Sequence, residues 1–235
     1  MLQQLKSELQ KLADPEQAKN LRMFFKTGPG QYGEGDIFLG IKVPVQRLVA
    51  KKHQDLGLND VQDLLNSKIH EHRLIALLIL IFQFEKGTEE KKKDIFEFYL
   101  KNTKNINNWD LVDVSVHKIV GAYLFKKDKV ILYKLAKSKD LWERRIAMIA
   151  CAYFIGHNEF EDALKIAELL LDDKHDLIHK AVGWMLREIG KRNQSVEEKF
   201  LKKYYKTMPR TMLRYAIEKF DETKRKDYLK RSASS

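Results

Sequence analysis

From His70 onward the chain reads as one helix after another, joined by connections of only a few residues, and this recurrence restricts the possible folds most. Long helices are expected to begin near positions 70, 108, 140, 175 and 209, each answered by a second helix, at intervals of roughly 32 to 38 residues. That period suits stacked helix pairs, in which each repeat buries its apolar face against its neighbours. The segment from Leu74 through Phe82 is almost uninterruptedly apolar, as expected of a helix buried on most sides. It falls short of the roughly 20 apolar residues that cross a membrane. Thr88 before Glu89 and Glu90, and Asp140 before Leu141 and Trp142, read as N-caps, and Ser195-Val196-Glu197-Glu198 reads as a capping box. No strand alternation competes with these helices.

The first part of the chain is less regular. Leu2, Leu5, Leu9 and Leu12 recur at helical spacing, and Asp14-Pro15 then supplies a cap and a first-turn proline for a second helix reaching about Lys26. Thr27 to Gly35 contains a literal G-x-G-x-x-G at Gly28, Gly30 and Gly33. A dinucleotide fingerprint follows a strand, however, whereas this one follows a helix and contains Pro29, so it reads as a flexible connection. Phe38 to Val43 leads to Pro44, which opens a helix through about Lys52, and a short helix follows from Asn59. The expected fold class is all-α, a superhelical solenoid of HEAT-like two-helix repeats with a concave basic groove. The expected organisation is a single domain: an N-terminal helical region over 1–68, the repeat array over 69–231 and a frayed tail over 232–235.

Charge narrows the function. The 235 residues carry 44 Lys and Arg against 33 Asp and Glu, a formal net charge of +11, so the chain attracts polyanions and nucleic acid is the first partner to consider. Cys151 is the single cysteine, so neither an intramolecular disulfide nor a multi-thiolate zinc site can form. It lies in an apolar run and reads as core. His70, His72, His175 and His179 lack metal-ligand spacing, and no metal or other cofactor is expected. The first residues form an amphipathic helix without an apolar signal core, so a cytoplasmic location is expected.

A weak internal signature marks the repeats. Arg73, Arg145, Lys180 and Arg214 each precede an alanine-containing apolar pair at about multiples of 35 residues. In a stacked array these cations would project to one side and track phosphates, or else each marks the solvated edge of its helix. Where the row should continue, near position 109, the chain has Trp109, Asp110 and Asp113 instead. Trp109 and Asp113, four residues apart, share a helix face. A carboxylate repels phosphate, so its presence there suggests work other than affinity; beside an aromatic face it can stabilise positive charge developing on a sugar or base. The rival reading is a helix-start aspartate with a core tryptophan. Trp142 and Trp184 fall in the following repeats, a pattern resembling an aromatic-lined cleft. Glu143, Glu188 and Asp110 are candidate second acids, although such carboxylates usually pair with neighbours such as Arg144 and Arg187.

From about Phe38 to Phe220 the chain resembles the AlkD family of DNA glycosylases, HEAT-like repeat proteins that excise cationic alkylated purines. The residues carrying the resemblance are Phe38-Leu39-Gly40-Ile41 before Pro44 and Arg47, Trp109 to Asp113, Trp142 to Arg145, and Lys180 to Glu188 with Trp184 and Arg187. The resemblance implies that Asp113 is the catalytic carboxylate, that Trp109 and Trp184 contact the sugar-phosphate around the lesion, and that Arg145 helps hold the backbone. Arg73, Lys180 and Arg214 from the repeat pattern, with Arg47 and Arg187 from the matched segments, complete the expected DNA contacts. The resemblance also implies duplex DNA containing alkylated bases as partner, recognition without base flipping, a monomer, and a bacterial-type cytosol or nucleoid. The alternative is a non-catalytic HEAT-like nucleic-acid-binding or protein-scaffold module. The glycine-rich loop and Lys42-Val43 depart from the family's pattern, which leaves the preferred lesion open.

Overall fold

Asp14 shows how this chain punctuates its helices. In the computed structural model, which describes residues 1–231, its carboxylate accepts from the backbone N–H groups of Glu16 and Gln17 at 3.0 Å, and Pro15 occupies the first turn. Thr88 and Asp140 cap their helices in the same way, accepting from Lys91 N–H, and from Trp142 and Glu143 N–H. The expected capping box at Ser195 is displaced by two residues. Asn193 takes the extended cap conformation and accepts from Val196 N–H, which leaves Ser195 inside the helix. The described residues contain helices and turns but no strand; one isolated bridge joins Ile37 and Ile69. The frayed tail expected over 232–235 lies outside the described residues.

The chain divides into two compact units, residues 1–115 and the part from Val116 onward. The first holds α1 (Leu2–Lys11), α2 (Pro15–Phe24), α3 (Val43–Lys52), α4 (Leu58–Leu65), α5 (His70–Lys86) and α6 (Glu89–Lys101), and it reaches into α7 (Trp109–Val116). α3 and α4 pack mainly on α5, whose residues from His70 through Ile81 are all buried. This is the helix foreseen from the apolar run. Each fully buried Leu or Ile there contributes about 1.5–3 kcal/mol of hydrophobic stabilisation.

α7 passes without a break into a π turn, His117–Gly121, and then α8 (Ala122–Leu124). The second unit continues with α9 (Val130–Ala136), α10 (Leu141–Gly156), α11 (Glu161–Leu169), α12 (Asp176–Arg192), α13 (Gln194–Tyr204), α14 (Arg210–Ala216) and α15 (Glu222–Arg231). The principal helices therefore start at 70, 109, 141, 176 and 210, each within one residue of the position read from periodicity. α10 packs on α9, the π turn and α12, and α12 packs on α14. Glycine permits the last approach: a Cβ on Gly183 would lie 2.4 Å from the Met212 carbonyl oxygen. Among the described residues no helix is long and apolar enough to cross a membrane.

The glycine-rich segment differs from the flexible connection expected of it. Gly28 N–H donates to Gln31 Oε1, Gly30 N–H to Glu34 Oε2 and Gly33 N–H to the Lys26 carbonyl. Lys26 adopts a left-handed φ of 52° and Gly30 one of 72°, so the loop is a set of specific turns.

Candidate functional site

The start of α7 is fixed by Asn108, a fully buried residue whose side-chain oxygen accepts from Trp109 N–H at 2.8 Å and whose carbonyl accepts from Val112 N–H. Trp109 and Asp113 follow one turn apart, both half-buried. The indole is held from three directions. Its ring stacks on Phe25 with centroids 5.2 Å apart, Phe24 meets it edge-on at 5.8 Å, and its Nε1–H donates to the Tyr32 hydroxyl at 3.2 Å. The end of α2 and the glycine-rich loop thus set the attitude of the tryptophan. On the same turn, the Ser115 hydroxyl donates to the Leu111 carbonyl and is bonded to the buried Tyr99 hydroxyl at 2.8 Å. Burial raises the Tyr99 phenol above its ordinary pKa, and the Asp113 carboxylate nearby adds to that.

Beside Trp109 lies a buried ionic centre. His70, at the start of α5, has its Nε2 2.7 Å from Asp110 Oδ2 and its Nδ1 3.1 Å from Asp36 Oδ2. Arg73 completes the group, with Nη2 donating to both Asp36 oxygens at 2.8 Å and Nη1 to the Ser67 carbonyl. Burial alone would lower the imidazole pKa, but the Asp110 carboxylate outweighs it, with help from Asp36, and the pKa is raised to about 9. Burial likewise opposes ionisation of Asp36, yet the hydrogen bond from His70 and the Arg73 charge hold its carboxyl below the usual range. Phe38 stacks on the imidazole at 4.6 Å and Phe25 lies 5.0 Å from it. One aromatic stack therefore joins the charged histidine to Trp109.

Glu71, the next residue of α5, is also buried. Its carboxylate accepts from the backbone N–H groups of Leu39, Gly40 and Ile41 at 3.0, 2.8 and 3.3 Å. Gly40 takes a φ of 88°, and a Cβ there would lie 2.1 Å from the Asp14 carbonyl oxygen, so only glycine fits the cradle. The Phe38-Leu39-Gly40-Ile41 motif thus serves as the clasp between the first helices and α5.

The cations proposed to track phosphates fall into two groups. Arg47 on α3 and Arg214 on α14 are exposed, with no ion-pair partner among the described residues; Lys180 is partly exposed and paired with Asp176 at 2.7 Å. Arg73 and Arg145 are buried, 4% exposed each, with Arg73 on Asp36 and Ser67 and with Arg145 donating to the Leu177 carbonyl. The solvent-facing row drawn through all four is therefore corrected, because two of the guanidiniums are buried and hydrogen-bonded within the protein. Arg187 is half-buried and ion-paired with Glu218. Trp184 is half-buried on α12 with Nε1–H donating to Glu188 Oε1 at 3.1 Å, whereas Trp142 is a core residue of α10. Cys151 is buried, and burial raises its thiol pKa. Among the described residues no three His, Cys, Asp or Glu side chains are placed to hold a metal ion.

Sequence reasoning missed Asp36, Tyr32 and the pairing of His70 with Asp110. Spacing alone presents His70 as a metal-ligand candidate and Asp110 as a candidate second acid, and neither as the other's partner. A buried helix opening His-Glu-His-Arg was the available signal, because four polar residues leading into a fully apolar run need partners from elsewhere in the chain.

Comparisons with known proteins agree with this architecture. A family model described as DNA alkylation repair enzyme matches residues 5–220. Among solved structures, a predicted DNA alkylation repair enzyme from Enterococcus faecalis superimposes with a TM-score of 0.69 at 16% identity, covering 89% of this chain and 97% of that one. AlkD2 from Streptococcus mutans gives 0.56 at 18% identity, covering 94% and 100%, and smu.31 from Streptococcus mutans UA159 gives 0.52 at 16%, covering 99% and 98%. At these identities the structures attest the shared all-helical fold alone. No curated protein sequence matches the chain significantly.

Proposed function

Since the chain belongs to the DNA alkylation repair enzyme family, we propose that it is a DNA glycosylase that excises cationic N3- or N7-alkylated purines from duplex DNA. The observation that carries this reading is the pair Trp109 and Asp113, one helical turn apart on α7, with the indole clamped by Phe25, Phe24 and Tyr32. An alkylated purine already bears positive charge, so its glycosidic bond breaks with the electron pair leaving on the base and needs no prior protonation. What must be stabilised is the oxocarbenium-like sugar. Asp113 supplies the opposing charge, and a water attacking the sugar carbon gives its proton to that carboxylate; the Trp109 face adds cation–π attraction. Recognition runs through the sugar and backbone, with the base left largely in the stack until the bond breaks. Arg47, Lys180 and Arg214, the solvent-facing members of the basic set, contact phosphates. None of these steps calls for a cofactor.

Chromatographic detection of free alkylated base released from methylated duplex DNA tests the reaction. Under single-turnover conditions with enzyme in excess, Asp113→Asn should slow excision by about 10²–10³ while DNA binding is retained or tightened. Retention of lesion DNA without any release of base would make the protein a binder. Wild-type excision by Asp113→Asn would remove that carboxylate from the chemistry.

A further inference from the structure

The proposed chemistry leaves the glycine-rich loop over 27–35 without a part to play, yet this stretch is tied twice to the first turn of α7. The Tyr32 hydroxyl accepts from Trp109 Nε1–H at 3.2 Å. Asp36, which follows the loop, lies 3.1 Å from His70 Nδ1, and the other nitrogen of that imidazole lies 2.7 Å from Asp110. The loop is braced in turn against α2. Gly33 N–H donates to the Lys26 carbonyl and Asp36 N–H to the Gly33 carbonyl. A Cβ on Gly33 would lie 2.5 Å from the Phe25 carbonyl oxygen, so the residue after Tyr32 rests on the backbone of the residue whose ring stacks on the indole.

An indole carries one N–H and no other hydrogen-bonding group. Left free beside a duplex, that donor would serve a phosphate oxygen, a contact that every nucleotide offers, damaged or not. Such a contact binds all duplexes alike and adds nothing to the chemical step. With the N–H held by Tyr32, what the half-buried ring still offers is its π system. Cation–π attraction exists only where there is positive charge, on the alkylated base or developing on its sugar. We propose that Tyr32 is a specificity-determining positioning residue: by holding the Trp109 N–H it denies the indole to phosphate and reserves the ring for the charged lesion. The assignment rests on the glycosylase reading for the reaction and adds to it a residue of the loop.

Tyr32→Phe keeps the aromatic ring and deletes the acceptor. Single-turnover excision from methylated duplex, with enzyme in excess, should slow by about three- to tenfold, the worth of one hydrogen bond. The dissociation constant for unmodified duplex of the same sequence should stay within about twofold or tighten, because the freed N–H can now serve a phosphate. Trp109→Phe supplies the second readout, since a phenyl ring has no N–H for Tyr32 to hold. In that background, adding Tyr32→Phe should change excision by less than about twofold, whereas a loop that acts only through packing slows both backgrounds equally. Excision by Tyr32→Phe at the wild-type rate, binding of unmodified duplex weakened by the same factor as excision, or equal losses in the two backgrounds overturns the assignment. Failure of the glycosylase reading has a different signature: the wild-type protein itself releases no base from methylated duplex.

Discussion

Both units bury ionisable groups away from water, and one from each, His70 and Glu197, end in opposite charge states. His70 in the first unit is held as an imidazolium by Asp110 and Asp36. In the second unit, Glu197 on α13 is 1% exposed and lies against Gly190, where a Cβ would come within 1.7 Å of its Oε2. Its Oε1 has no hydrogen-bond partner among the described residues. Burial, reinforced by Glu198 and only partly offset by Arg187, pushes its pKa up to about 8, so at neutral pH it is mostly the uncharged acid. Burial is similar in the two places. Opposite charge within hydrogen-bonding distance keeps the histidine ionised, and its absence neutralises the glutamate.

The most severe way to break this contrast is to remove the partner. Asp110→Ala leaves His70 buried with Asp36 alone, a pairing Asp36 already shares with Arg73, and should cost about 3–5 kcal/mol in chemical denaturation. A loss below about 1 kcal/mol would mean that Asp110 does not hold the imidazolium. Glu197→Gln works in the other direction. It removes a charge that the folded state resists, so it should stabilise the protein by on the order of 1 kcal/mol at pH 9 and change little at pH 5. Equal effects at both pH values would place an ionised carboxylate at Glu197.

The pH dependence sharpens the comparison, because both groups have folded pKa values above their unfolded ones for opposite reasons. The His70 contribution is fully present below its ordinary 6.5 and is lost as pH rises through about 9. The Glu197 contribution is fully present below 4.5 and is lost through about 8. Stability should therefore fall on alkalinisation in two overlapping windows. Thermal melts across pH should show Glu197→Gln abolishing the lower window and Asp110→Asn flattening the upper one; a variant that alters the other's window would refute the assignment. The smallest expected effect concerns two arginines. Arg47→Ala should lower the slope of DNA affinity against log salt by about one unit without moving the melting temperature, whereas Arg73→Ala should destabilise the fold. A slope unchanged by Arg47→Ala would remove that residue from the phosphate contacts.

The all-helical class and the helix starts were legible because period and caps are local properties, carried by residues such as Thr88, Asp140 and the run from Leu74 to Phe82. Trp109 and Asp113 were legible for the same reason, being neighbours on one helix. The partners of Trp109 were not. Tyr32 lies 77 positions away, and Asp36 and Asp110 reach His70 across 34 and 40 residues, separations at which spacing carries no information without an assembled core. The same limit explains the basic row: the pattern around Arg73 and Arg145 is that of a helix edge, and burial of that edge against Ser67 or Leu177 is a tertiary event. Ser195 failed more locally, because Asn193 two residues earlier is an equally good cap.

The cradle around Glu71 has a kinetic side. Three consecutive amide protons, those of Leu39, Gly40 and Ile41, all terminate on one carboxylate some 30 residues further along, so they exchange with solvent through a shared opening rather than one by one. Such an opening loosens the segment that follows α2 and the glycine-rich loop, the elements that carry Phe24, Phe25 and Tyr32, the clamp on Trp109. Hydrogen exchange at those three amides is therefore a clock for how long the tryptophan keeps the orientation its clamp gives it.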